Sequence, residues 1–204
     1  PRSTLFPYTT LFRSRRFIVF TDKDGKETNQ TNLSQIGRYA FEGCTGLTTV
    51  TLAEGVKALG GGTFKACTNL TTVNLPSTIT EVVDTGIYGN GPFIECTGLQ
   101  KVTFAEGTTT IPNNIFGNCD FITAESFNMP ATVTTIGKEA FKGTTKLESI
   151  ELSKDLKTIG RSAFEGCSGL KNIVLPASLT TMGSNSFEGC ELLTEVTIPK
   201  SVEN

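Results

Sequence analysis

Six cysteines are the residues of this chain best suited to chemistry, and their spacing is regular. Cys44, Cys67, Cys96, Cys119, Cys167 and Cys190 each stand three residues after a phenylalanine: Phe41, Phe64, Phe93, Phe116, Phe164 and Phe187. A seventh phenylalanine, Phe141, is followed at the same distance by Thr144. Thiols can hold zinc, attack as nucleophiles or pair as disulfides. None of the six shows the C-x-x-C spacing of a zinc site. The chain has no histidine, which removes the commonest general base and the commonest metal ligand together. Carboxylates alone remain for acid–base work.

The other chemical motifs are weak. Asp22-Lys23-Asp24-Gly25 begins like a calcium loop, but its glycine comes two places early and no glutamate stands at the twelfth position. A turn is the expectation there. Gly60-Gly61-Gly62 is not followed by the lysine-serine or lysine-threonine pair of a phosphate loop. Asn29-Gln30-Thr31, Asn32-Leu33-Ser34 and Asn69-Leu70-Thr71 have the form of glycosylation sequons, which arise easily in a threonine-rich chain. We therefore expect no enzyme, no metal and no cofactor. Lys plus Arg is 18 and Asp plus Glu 20, a net charge of −2, which gives no footprint for nucleic acid or an anionic membrane. No stretch of 18 apolar residues predicts a membrane-spanning helix.

The elements that position the cysteines follow from the repeat. Successive phenylalanines are 23, 29, 23, 25, 23 and 23 residues apart. After Cys44 come Leu47, Val50 and Leu52, the pattern L-x-x-V-x-L, which recurs as Leu70, Val73, Leu75 and as Leu170, Ile173, Leu175. Its last two apolar residues alternate, as on a strand with one buried face. Pro76, Pro130, Pro176 and Pro199 close that strand. An apolar pair then leads into glycine, as in Leu156 with Ile159-Gly160, where glycine is expected to permit a sharp turn. Phenylalanine and cysteine at i and i+3 share a face of one helical or 3₁₀ turn. Such a coil cannot bury its apolar face alone, so stacking is required.

Stacking leaves two fates for the cysteines. Neighbouring coils lie roughly 5 Å apart, within reach of a disulfide. The six fall into three neighbouring pairs, 44 with 67, 96 with 119 and 167 with 190, and Thr144 is the odd rung. Against pairing, residues at one register point the same way, so we expect buried free thiols that pack as small apolar groups.

Two units depart from the pattern. The third carries six extra residues within Asp84–Pro92, a glycine-, asparagine- and proline-rich stretch that predicts a loop, with Tyr88 as a candidate contact. The fourth holds two extra residues within Asp120–Phe127, where a bulge is expected. The domain reading is then threefold. Residues 1–14 are excluded, because Thr4–Ser14 (TLFPYTTLFRS) resembles a translated sequencing-library adapter. Residues 15–32 are a possible N-terminal cap or partial repeat, with a strand at Phe17–Phe20 and a hairpin turn at Lys23–Lys26. Residues 33–204 are seven repeats of about 23 residues, expected to be truncated at the C-terminus, so that the chain is a fragment.

The unit resembles the BspA-type leucine-rich repeat of bacterial surface proteins, whose form is close to I-G-x-x-A-F-x-G-C-x-x-L-x-x-I-x-L-P. Residues 159–176, IGRSAFEGCSGLKNIVLP, match nearly throughout. The resemblance implies an α/β leucine-rich-repeat solenoid, right-handed, with a parallel sheet on one face and short strands and 3₁₀ or helical turns on the other. It also implies a secreted or cell-surface location and a role in adhesion. By strand register the outward positions are Thr51, Asn74, Thr103, Asn128, Glu151, Val174 and Thr197, with Thr49, Thr72, Lys101, Ser149, Asn172 and Glu195 two residues earlier. That row, with Tyr88 at its edge, is the candidate ligand surface. The expected role is non-catalytic binding of another protein, host or matrix, or of a glycan. A structural spacer and an accessory region of a larger surface enzyme are the alternatives.

Overall fold

The computed structural model describes residues 17–21, 27–31, 34–86 and 89–202. β1 (Phe17–Thr21) and β2 (Glu27–Thr31) pair antiparallel, Phe17 opposite Thr31. The expected calcium-like turn at Asp22–Gly25 lies outside the described residues, as do residues 1–14.

From residue 34 the chain winds as a parallel β-solenoid with two strand rows. The first row precedes each phenylalanine and contains the apolar-glycine pair. It comprises β3 (Gln35–Ile36), β5 (Ala58–Gly60) and β7 (Glu81–Val83) in one sheet. A second sheet continues it with β9 (Thr110–Ile111), β10 (Thr135–Ile136), β11 (Thr158–Ile159) and β12 (Thr181–Met182). Register holds coil on coil: Ile111, Ile136, Ile159 and Met182 are successive partners. The second row is the L-x-x-V-x-L segment, with β4 (Thr49–Thr51), β6 (Thr72–Leu75) and β8 (Lys101–Phe104) in parallel. Single bridges extend it from Val102 to Phe127 and from Ser149 to Asn172. The apolar residues of both rows enclose one core that runs the length of the stack, with the phenylalanine rings in its middle.

The expected α/β class is corrected here: no helix occurs among the described residues. The reason lies in the main chain at each phenylalanine corner. The residues two before and two after the ring have positive φ at every such corner but that of Phe93, where only Glu95 does: Glu139 (56°) and Gly143 (71°) around Phe141, Ser162 (54°) and Gly166 (71°) around Phe164. Left-handed residues cannot propagate a right-handed helix. The N–H groups instead alternate in direction. Those of Glu139, Phe141 and Gly143 donate across to the Arg161, Ala163 and Glu165 carbonyls of the next coil at 3.0, 2.8 and 2.7 Å. Those between them close local turns, as where Thr144 donates to Phe141 at 3.1 Å. The corner is thus a third hydrogen-bonded row rather than a helical turn.

The expected role of the glycine after the apolar pair is corrected as well. Gly160 has no positive φ, so it is not there to permit a left-handed turn. A Cβ at Gly160 would lie 2.6 Å from the Gly137 carbonyl carbon and the Lys138 nitrogen of the preceding coil. Glycine is required because one backbone crosses directly over the next.

The two irregular units have defined structure. In the fourth, the extra residues close a turn in which Ser126 N–H donates to the Thr123 carbonyl at 3.1 Å, rather than forming a bulge. Phe127 then occupies the position of the usual valine. Its ring sits edge-on to Phe116 and Phe141, at 5.4 and 5.2 Å between centroids. Of the third unit's insertion, Asn90 N–H donates to the Thr85 carbonyl at 3.1 Å and Gly91 N–H to the Gly117 carbonyl at 2.9 Å, which ties its base to the neighbouring coil. Tyr88 lies outside the described residues.

Candidate binding surface

The corner that carries the cysteines is a structural ladder. Phe41 and Phe64, Phe64 and Phe93, Phe141 and Phe164, and Phe164 and Phe187 stack with centroids 5.2–5.5 Å apart and planes within 9° of parallel. Each cysteine N–H closes a turn onto its own phenylalanine carbonyl. The sulfur then reaches back one coil. Cys67 Sγ donates to the Phe41 carbonyl at 3.1 Å, Cys96 to Phe64 at 3.1 Å, Cys119 to Phe93 at 3.5 Å, Cys167 to Phe141 at 3.1 Å and Cys190 to Phe164 at 3.2 Å. Thr144 differs, donating to the carbonyl of Phe141 in its own coil at 2.7 Å.

All six cysteines are free thiols. Cys67, Cys96, Cys119 and Cys167 are buried, whereas Cys44 and Cys190 at the two ends are half-buried, which corrects the expectation that all six are enclosed. Burial pushes the Cys96 and Cys119 thiols up to about 12 and raises Cys67 further, so each is held as a neutral S–H donor. The sequence presents these side chains as small apolar groups and does not disclose their hydrogen bonds to the preceding coil. The available signal is Thr144, a hydroxyl donor at the same position.

Among the described residues, no group of three or more His, Cys, Asp or Glu side chains could hold a metal ion, and no helix is long and apolar enough to cross a membrane. The residues expected to face outward lie on the second strand row.

That row divides into two halves. Thr51, Asn74 and Thr103 lie in register and are half-buried. They are tied to each other: Asn74 Nδ2 donates to Thr51 Oγ1 at 2.8 Å and Thr103 Oγ1 donates to Asn74 Oδ1 at 2.6 Å. Asn128, Glu151, Val174 and Thr197 are exposed. In the closed half Leu52 N–H still donates to the Asn74 carbonyl at 2.9 Å. Beyond the bridge at Ser149 and Asn172, no such main-chain bond joins residues 151–152 to 174–175, or 174–175 to 197–198. Grooves open between them, one lined by Met129, Ile150, Glu151, Leu152 and Val174, the next by Val174, Leu175, Glu195, Thr197 and Pro199.

A stack of parallel short strands with one apolar ladder per coil and a free outward row defines a leucine-rich-repeat solenoid. The chain belongs to the BspA type leucine-rich repeat family, six copies of whose repeat region match residues 25–124 and 121–204. A leucine-rich repeat protein from Bacteroides ovatus is similar in structure, with a TM-score of 0.63 and 29% identity over 90% of this chain and 45% of that one. The leucine-rich repeat protein of T. pallidum is similar with a TM-score of 0.58 and 26% identity, over 86% of this chain and 76% of that one. The fold shared with them is a right-handed parallel β-solenoid. This chain spans less than half the length of the B. ovatus chain. No curated protein matches by sequence.

Proposed function

We propose that this chain is a non-catalytic protein-interaction module of a secreted or cell-surface protein, acting in adhesion to host or matrix proteins. The observation that carries the reading is the outward row: one side chain per coil of a stacked array, exposed to solvent at Asn128, Glu151, Val174 and Thr197. A solenoid of this kind offers one long surface rather than a pocket, which suits a macromolecule. Membership of the BspA type family supports the surface location. Thr51, Asn74 and Thr103 contribute scaffold and Asn128, Glu151 and Thr197 contribute contacts, with Tyr88 proposed at the edge.

The test is surface plasmon resonance of the immobilised chain against a panel of purified secreted and matrix proteins. Saturable binding to at least one, weakened tenfold or more by arginine at Asn128 and Thr197, is expected. A chain that keeps its cooperative thermal transition yet binds nothing on the panel would be a spacer instead.

A further inference from the structure

The exposed half of the outward row combines three features that do not occur together in the closed half. The first is apolar. Val174 is 83% exposed, the largest exposure of any large apolar residue described. The floor around it shows through as well: Ile150, Ile173 and Leu175 are each 7–8% exposed, where Val50, Val73 and Val102 at the valine position of the closed half are at 0–4%. The second is main-chain. Residues 151–152 and 174–175 make no main-chain hydrogen bond to the neighbouring coil. The third is charge. Among the described residues, Glu151 and Glu195, which flank Val174 across the row, form no ion pair, although Glu148 nearby is held by Lys171 at 2.7 Å.

We propose that this stretch, centred on Val174, docks an extended peptide segment of a partner protein, in which an apolar side chain packs on Val174 and flanking lysine or arginine residues face Glu151 and Glu195. The inference rests on the interaction role proposed above and names the partner's chemistry. Unpaired main-chain groups along a groove are matched by a polypeptide, which carries the same groups at strand spacing. A lipid would leave them unpaired. The carboxylates select the sign of the flanking charge and reject an acidic peptide. Lys154 on the rim of the first groove limits the preference to cations beside the anchor rather than a wholly basic chain.

The experiment is a ¹⁵N-HSQC titration of the full chain with three synthetic nine-residue peptides. One carries valine between lysines, one valine between glutamates, and one serine between lysines. The lysine–valine peptide is expected to move the amides of residues 151–152 and 174–175 saturably, at least tenfold more tightly than either other peptide. Val174→Lys, and the double variant Glu151→Gln with Glu195→Gln, should each weaken it at least fivefold; Thr51→Lys should not. All these side chains save Thr51 are exposed, so folding is preserved, and the dispersion of the spectrum checks it. Equal affinity for the three peptides, saturable shifts confined to other coils, or no saturable binding overturns the proposal. Repeating the protein panel with Val174→Lys separates the two readings. A protein that binds wild type and variant alike leaves the interaction role standing and removes this site. A panel on which nothing binds removes the role itself.

Discussion

Cys67 Sγ lies 3.1 Å from the carbonyl oxygen of Phe41, and the two belong to successive coils. That carbonyl also accepts the N–H of Cys44 at 3.2 Å, so both its lone pairs are used. The cysteine is therefore a coil-to-coil link made without covalent bonding.

Replacing Cys96 or Cys119 by alanine removes buried volume and leaves a carbonyl lone pair unmet. A loss of about 1–3 kcal/mol in urea unfolding is expected. Threonine at the same positions fills most of the space but, like Thr144, donates to the carbonyl of its own coil, so it should recover the packing part of the loss and not the coil-to-coil bond. A threonine variant as stable as the wild type would show that the sulfur only fills space.

The thiols also set a pH limit. Cys96 and Cys119 have folded pKa values near about 12, raised from the ordinary 9.0 by burial. Because the folded value is the higher, their contribution is complete below pH 9 and is lost as pH rises from 9 towards 12. Thermal stability should fall across that window, and less steeply at its lower end in a Cys96→Thr, Cys119→Thr variant. At about pH 8, where a free thiol is partly ionised, iodoacetamide should label at most Cys44 and Cys190 in the folded chain. All six should be labelled in guanidinium without reductant, read by intact mass.

Gly160→Ala should be strongly destabilising, by more than about 2 kcal/mol, because its Cβ would fall on the backbone of the coil before. Gly37, at the same position of the first coil, has no positive φ, and a Cβ there would meet nothing within 4 Å. Gly37→Ala should change the melting temperature little. A similar loss at both would refute the close-crossing explanation.

Asn74→Ala should cost about 1 kcal/mol, since it breaks bonds to both Thr51 and Thr103 in the half-buried row. Glu151→Ala, at the equivalent position of the open half, should be within about 0.5 kcal/mol of wild type. Thermal denaturation of the two single variants decides it.

The stacking of the coils was legible because apolar residues recur at fixed intervals: phenylalanine and leucine cannot be buried except by a neighbour presenting the same face. The path between those anchors was not. A spacing of three between Phe141 and Thr144 suits a helical turn, and nothing in it discloses positive φ at Glu139, a residue with no preference for that conformation. Gly43, Gly143, Gly166 and Gly189 were the available hint, at the second left-handed position of four of the seven corners; Ala66, Glu95 and Asn118 hold it in the others. The outward row was located by register. Its division was not, because Asn74 and Asn128 are the same residue type, and only the structure shows one tied to its neighbours and the other exposed.

The sheet of the first row breaks between β7 and β9, where the insertion enters, and Phe93 and Phe116 stand 6.4 Å apart and tilted by 30°. In a linear array each unit holds only its neighbours, so cooperativity is set link by link. At the joint between the third and fourth units the first row contributes no strand pairing, and the link rests on bonds such as Gly91 N–H to the Gly117 carbonyl and Val102 N–H to the Ser126 carbonyl. Under tension or mild denaturant the array should part there first, melting as two blocks of three and four coils. The half that carries Val174 would then survive or fail independently of the half that precedes it.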